Sequence, residues 1–350
     1  MPKSLAPQEV GKARSTIEKG RRRGWWLRKG TMRSGFHYIA ADGRKISNES
    51  QLDRIKSLVI PPAWKYVRIS TGAGSPIQAV GMDTSGRVQY LYNQKFAEKK
   101  QRQKFGRLER FGEYLPKLRE VTNSDLALEG FPKAKVLAVM MRLINSLYIR
   151  VGSEKSVKKY KTFGITTLQN RHLTIRPKGE LIFEFVGKSH VQQRKILVDA
   201  DLAAVMTKLK EIGRARKLFN YIDGEGNIHP VKPAEINAYI KAATDADFSA
   251  KDFRTWAGTL LAATELARIG PGNDEKSIKT NLVKAIKNVA EQLGNTPTVC
   301  RSSYIHPKVI SFYSSGKTLE QFEDQRSRRI RKLKSEFEPE EEALLRMLKL

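Results

Sequence analysis

A surplus of positive charge constrains this chain more than any other feature of its sequence. Its 350 residues carry 65 Lys and Arg against 36 Asp and Glu, a formal net charge of +29. Compacting so much like charge is unfavourable unless a polyanion screens it. At 40% the apolar content is ordinary, too high for a disordered basic tail. The chain must therefore bury genuine cores and carry its surplus charge outside them. Its length allows two domains, with a third only if that one is small. Nucleic acid is the natural counter-charge, bound in a way that weakens steeply with salt. An anionic membrane surface is the rival, but no strongly amphipathic helix pairs a clean apolar face with a basic one.

Cysteine and histidine usage narrows the chemistry. Cys300 is the sole cysteine, which excludes an internal disulfide and any paired-cysteine metal site. His37, His172, His190, His229 and His306 are scattered without ligand spacing, so no metal site is expected. No carboxylate cluster supports a two-metal nuclease. The N-terminus is basic but lacks the apolar stretch of a secretion signal, and no apolar run reaches membrane-spanning length. The expected compartment is the cytoplasm, in association with the nucleoid, and no membrane partner is expected.

The texture of the chain changes near residue 94. Residues 1–30 hold nine Lys/Arg against two Asp/Glu, and the first twenty are expected to be mobile until they meet a phosphate backbone. Residues 34–93 read as short strands. Phe36–Ile39 precedes an Asp42-Gly43 turn, and Ala79–Met82 is separated from Val88–Tyr92 by Asp83-Thr84-Ser85-Gly86. A short helix is expected over Glu49–Leu58, ended by Pro61-Pro62. Beyond residue 94, Lys95–Arg119 reads as a basic amphipathic helix, with nine basic and three acidic residues. Helical spacing recurs at Val136, Met140, Leu143 and Leu147, at Leu202, Val205, Leu209 and Ile212, and at Ile278, Leu282, Ile286, Val289 and Leu293. Between the first two of these sets, Leu173–Ile175, Leu181–Val186 and Val191 onward read as a three-stranded meander. Pro233 suits the first turn of a helix running to about Ala243. The fold class expected is α+β: a small antiparallel-sheet-rich N-terminal domain (1–93) and a larger, mainly helical domain (94–350) containing a three-stranded sheet. A hinge helix is placed near 94–119 and a charged C-terminal helix at 318–350, either docked on the body or extended as an arm.

Several short motifs, in order, carry a family resemblance. Asp83-Thr84-Ser85-Gly86-Arg87-Val88-Gln89-Tyr90, Tyr148-Ile149-Arg150-Val151-Gly152 with Thr162–Leu168, Phe185-Val186-Gly187-Lys188, Lys251-Asp252-Phe253-Arg254-Thr255-Trp256, Gly294-Asn295-Thr296-Pro297 and Ser303-Tyr304-Ile305-His306-Pro307 span almost the whole length. Together they resemble type IB DNA topoisomerases of the short bacterial and poxvirus form, within the tyrosine recombinase superfamily. The resemblance implies a C-shaped clamp on double-stranded DNA, a monomer, and relaxation of supercoils of either sign without ATP, other cofactor or metal. By the same resemblance, Tyr304 is the nucleophile, Arg150 and Arg254 the catalytic arginines, and Lys188 the general acid. Asn295 stands where viral and eukaryotic members place a histidine; it can donate a hydrogen bond but cannot carry charge or move a proton.

These residue types suit the chemistry. A phenol that attacks a phosphodiester conserves the bond energy in a phosphotyrosyl link. Arginine forks brace phosphoryl oxygens as charge accumulates on them. A lysine in a Gly-Lys-Ser turn can reach the leaving oxygen, although such a lysine is also an ordinary exposed one. Lys251, a helical turn before Arg254, is expected as a phosphate contact or auxiliary proton donor. Arg87, Gln89, Tyr90 and Tyr92 resemble DNA-contacting positions. Strand alternation puts Tyr90 and Tyr92 on one face and Gln89 on the other, so the tyrosine pair is either a contact surface or a packed sheet face. Trp25 and Trp26 divide in the same way between packing and DNA contact. His306 is not expected as a base, nor Cys300 as a nucleophile. The remaining alternatives are a tyrosine recombinase and a DNA-bending protein with no catalysis.

Overall fold

The computed structural model describes residues 17–20, 23–212, 216–322 and 338–350. Most of the N-terminal stretch expected to be mobile, and residues 323–337 of the tail, lie outside that range. The chain forms two compact units, Met1–Lys104 and Phe105–Leu350.

The first unit is an antiparallel five-stranded sheet. In chain order its strands are β1 (Trp26–Thr31), β2 (Gly35–Ile39), β3 (Lys65–Ile69), β4 (Ile77–Met82) and β5 (Val88–Tyr92), arranged β2-β1-β3-β4-β5. Helix α1 (Glu49–Ser57) starts at Asn48, whose side chain accepts from the Gln51 amide at 3.1 Å. It stops at Leu58, and Val59 takes a left-handed φ of 47°, so the turn comes before the two prolines. Trp26, Ile46, Ile55, Val67, Ile69 and Ala79 form the core. Trp26 is thus a packing residue, with the Arg54 guanidinium 5.0 Å from its ring.

Strands β1 and β3 go beyond the sequence reading, and a buried arginine explains the first. Arg28 is 8% exposed and donates to the carbonyls of Ile60, Pro61, Pro62 and Trp64, the last at 2.7 Å. Its guanidinium also lies 4.3 Å from the Phe36 ring centroid. One planar fork thereby fixes a proline turn whose carbonyls have no ladder partner.

The second unit is mainly helical. Helix α2 (Gln94–Leu126) begins in the first unit and buries Phe105, Leu108, Phe111, Leu115 and Leu118 along one face. Next come α3 (Lys133–Leu147) and α4 (Glu154–Tyr160). The expected meander follows as β6 (Leu173–Arg176), β7 (Glu180–Val186) and β8 (Gln192–Val198), then α5 (Ala200–Ile212). A two-stranded ribbon, β9 (Asn220–Ile222) with β10 (Ile228–Pro230), leads to α6 (Pro233–Thr244) and α7 (Ala250–Ile269). Helices α8 (Glu275–Leu293), α9 (Pro297–Ser303), α10 (Pro307–Ser314) and α11 (Pro339–Lys349) complete the unit. Helix α11 is docked: Ala343, Leu344, Leu345, Met347 and Leu348 join the core, and buried Glu341 accepts from Arg119 at 2.7 Å. Both expected regions, sheet-rich and helical with a three-stranded sheet, are present.

Arg28→Ala should lower stability by about 1–3 kcal/mol, from the loss of charge-assisted hydrogen bonds to partly buried carbonyls. Urea denaturation of the intact chain measures it. Arg28→Lys should recover only part of the loss, because an ammonium cannot span the same carbonyls.

Candidate active site

Arg150 sits in an extended segment fixed by a crossing of two glycines. Helix α3 ends at Leu147, and Tyr148 turns the chain with a φ of 56°. The Ile165 amide then donates to the Arg150 carbonyl at 2.8 Å, and the Thr166 amide to Val151 at 2.9 Å. A Cβ on Gly164 would lie 2.5 Å from the Arg150 carbonyl oxygen, and one on Gly152 would lie 2.8 Å from Gly164 Cα. Gly152 also holds a φ of 84°. Only glycine fits either position, so the backbone carrying Arg150 has little freedom.

Arg254 comes from α7, whose first turn is closed by Asp252 accepting from the Ser249 amide at 2.8 Å. Its side chain is buried. Nη1 donates to the Tyr148 carbonyl, and Nη2 to the Leu293 carbonyl at 2.8 Å. One turn further on, α7 seats the tyrosine. A Cβ on Gly258 would meet both Tyr304 Cβ and the Tyr304 carbonyl oxygen at 2.7 Å. Thr259 Oγ1 donates to that carbonyl at 3.1 Å and accepts from the His306 amide at 3.1 Å.

The C-terminal end of α8 draws these parts together. Gly294 ends the helix with a φ of 61°, and the Asn295 amide returns to the Ala290 carbonyl at 2.8 Å. The next carbonyls in line are taken by cations. Lys195 Nζ donates to Gln292, Arg254 Nη2 to Leu293, and Arg150 Nη2 to Gly294 at 2.9 Å. Arg150 Nη2 also donates to Asn295 Oδ1 at 2.5 Å. Asn295 Nδ2 and Arg254 Nε are buried and have no hydrogen-bond partner among the described residues.

Tyr304 lies at the C-cap of α9, between two helices rather than inside one. The Arg254 guanidinium is 5.2 Å from its ring centroid, and the Tyr304 phenol acts electrostatically on both Arg150 and Arg254. Burial, and then the charge of Arg254, pushes Arg150 down to about 10, while Tyr304 pulls it back up. Burial likewise lowers Arg254. Cys300 is fully buried and its thiol is pushed up to about 11, a poor nucleophile. His306 caps α10, accepting from the Lys308 amide at 3.0 Å, and burial holds it down at about 4. Its ring Nδ1 makes that cap, at the break between α9 and α10.

Four of the expected residues, Arg150, Arg254, Asn295 and Tyr304, therefore converge. Lys188 is exposed at the β7–β8 hairpin, next to a left-handed Ser189 (φ 64°), and Lys251 is exposed in the first turn of α7. In the first unit, Asp83 accepts from Gln89 Nε2 at 2.8 Å and from Arg87 Nε at 3.1 Å, which ties both to their own turn. Tyr90 and Tyr92 do share a face, with ring centroids 6.1 Å apart, and Phe96 continues the stack at another 6.1 Å. Lys195, Gly258 and Thr259 were not singled out from sequence. Of these, only the Gly258-Thr259 spacing, one turn after Arg254, offered a signal.

This arrangement has known counterparts. Residues 93–333 match the catalytic core of eukaryotic DNA topoisomerase I, and residues 35–83 match the N-terminal domain of bacterial DNA topoisomerase IB. The chain belongs to the type IB DNA topoisomerase family. It is 32% identical over 289 residues to DNA topoisomerase 1B of Acanthamoeba polyphaga mimivirus, covering 80% of this chain and 85% of that protein. It is 24% identical over 237 residues to DNA topoisomerase 1B of vaccinia virus, covering 66% and 70%. DNA topoisomerase 1 of Mycosarcoma maydis is also 24% identical, over 69% of this chain and 25% of the fungal protein. Type IB topoisomerase activity on DNA follows from membership. Among the described residues, no helix is long and apolar enough to cross a membrane.

Gly258→Ala should push the Tyr304 backbone away from α7. Displacement of a reacting group by about 1 Å costs roughly 10²-fold in rate, so single-turnover strand cleavage should fall by about that factor. Duplex affinity, read by fluorescence anisotropy, should stay unchanged.

Proposed function

We propose that this chain relaxes supercoiled duplex DNA by transient cleavage of one strand through Tyr304. The observation that carries this reading is the Tyr304 ring set 5.2 Å from the buried Arg254 guanidinium, with the half-buried Arg150 held at the same helix end. In the forward step the Tyr304 oxygen bonds to phosphorus and the bond to the 5′-oxygen breaks. The phenol gives its proton to solvent water and the leaving 5′-oxygen takes one from the Lys188 ammonium, which the 5′-hydroxyl returns when it attacks in reverse. The product is a 3′-phosphotyrosyl link, and the free 5′ end swivels before attacking that link in reverse. One ester replaces another in each step, so resealing needs neither ATP nor another cofactor.

Charge development explains the arginines. As phosphorus becomes pentacoordinate, negative charge accumulates on its non-bridging oxygens. Arg150 and Arg254 supply fixed donors there, in a site where burial strengthens each contact. Asn295 adds a neutral donor through Nδ2, which has no protein partner among the described residues. Lys251 is assigned to a neighbouring phosphate or to auxiliary proton delivery. The Tyr90–Tyr92–Phe96 stack, with Lys100 Nζ 5.8 Å from the Phe96 ring, offers an aromatic and basic surface to the duplex. Arg87 and Gln89 are assigned DNA contact as well, released from Asp83 when they engage. The protein is read as a monomer working in the nucleoid.

Incubation with negatively and with positively supercoiled plasmid, in EDTA and without ATP, tests the proposal. The intact protein should relax both, and Tyr304→Phe should relax neither while still retarding the plasmid by binding. Arg150→Ala and Arg254→Ala should each slow cleavage by about 10²–10³-fold, the usual cost of one oxyanion donor. Lys188→Ala should cost about 10²–10⁴-fold, and a 5′-thio leaving group, which needs no proton, should restore most of that. Equal relaxation by Tyr304→Phe would end the assignment.

A further inference from the structure

Lys195 shares a surface with the two arginines that no motif predicted. It lies on β8 opposite Phe183, and strand alternation turns it inward with Gln193 and Leu197, while Arg194, Ile196 and Val198 are exposed. Gln193, its neighbour on that face, packs against the end of α8: a Cβ on Gly294 would meet Gln193 Nε2 at 2.6 Å. The inward face of β8 thus lies along the helix terminus that also holds Arg150 and Arg254.

At that terminus, successive carbonyls of Gln292, Leu293 and Gly294 receive Lys195, Arg254 and Arg150. Among the described residues, no ion pair joins any of these three cations to a carboxylate. Backbone carbonyls carry only partial negative charge, so three full positive charges remain largely uncompensated in a partly desolvated place. Such a cluster is stable when an anion completes it. The electrostatics agree with the geometry: burial, and then the charges of Arg254 and Arg150, pushes the Lys195 ammonium down to about 8. Lys188, by contrast, is exposed at the hairpin tip.

We propose that Lys195 is a third cationic contact to the scissile phosphate, exchanging the Gln292 carbonyl for a non-bridging phosphoryl oxygen when duplex DNA binds. The proposal rests on the Tyr304 cleavage reading and adds a residue to it. It differs from the proton-donor role of Lys188, because Lys195 lies beside the arginines and the asparagine that face the non-bridging oxygens. A lysine at a helix C-terminus is often only a cap. A cap would act on rate through Gln292, whatever charge the phosphate carries. A phosphate contact would act only where there is an anionic oxygen to meet.

That difference sets the test. Single-turnover cleavage is measured on a duplex with an ordinary scissile phosphate, and on one with a neutral methylphosphonate at the same position. Wild type is compared with Lys195→Ala, Lys195→Met and Lys195→Arg, with thermal melting of each variant as a check on folding. On the ordinary phosphate, Ala and Met should each cost about 10²-fold, and Arg should restore most of the rate. On the methylphosphonate, wild type, Ala and Met should agree within about threefold, as a double-mutant cycle requires when one partner is already gone. Equal losses on both substrates would overturn the proposal in favour of a helix cap, and no loss on the ordinary phosphate would overturn it outright. Wild-type cleavage checks the underlying reading separately. Its absence would bring down both, whereas intact cleavage indifferent to substitution brings down the role of Lys195 alone.

Discussion

The end of helix α8 is the interaction on which the site depends. A helix C-terminus leaves carbonyls without intrahelical partners and concentrates partial negative charge there. Here the turn at Gly294 uses two amides to close the helix, and the carbonyls of Gln292, Leu293 and Gly294 are left to accept side-chain cations. Those cations come from remote parts of the chain: Arg150 from the segment after α3, Lys195 from β8 and Arg254 from α7. One helix terminus therefore assembles charges that would otherwise repel one another. The carbonyls that hold them carry only partial charge, so a fully charged anion would compete with them for these cations.

The packing around that terminus makes Tyr304 part of the same body. Gly258 and Thr259, a turn beyond Arg254 on α7, fix the Tyr304 backbone. The short α9 links Asn295 to Tyr304, so these two residues and both arginines share one frame. Helix α11 packs on the same core, and its buried Glu341 accepts from the partly buried Arg119 of α2. Lys188 and Lys251 stand outside this frame and are exposed.

Much of this was legible in the sequence, for physical reasons that differ by element. Helical periodicity at Val136 through Leu147 and Ile278 through Leu293 marks long amphipathic segments, which tertiary contacts rarely override. The meander over 173–198 showed through its Gly-rich turns. Strands β1 and β3 were hidden because basic residues interrupt them, and nothing in Trp26-Leu27-Arg28-Lys29 signals that Arg28 points inward to a proline turn. Arg150, Arg254, Asn295 and Tyr304 were grouped by the family resemblance their motifs carry, since nothing in their spacing alone brings them together. Lys195 was invisible, since in Gln192–Val198 a lysine reads as one more solvated strand residue until the end of α8 is placed beside it. The cap at His306 could not be read from sequence, because it depends on the break between α9 and α10.

The central claim is that Tyr304 becomes covalently joined to the 3′ side of a broken strand. A duplex that loses a short fragment after cleavage would trap the joined species, and peptide mapping by mass spectrometry after digestion would locate the link. The account predicts a single nucleotide-bearing peptide containing Tyr304, attached through a 3′-phosphate. A link at any other residue, or attachment through a 5′-phosphate, would contradict it.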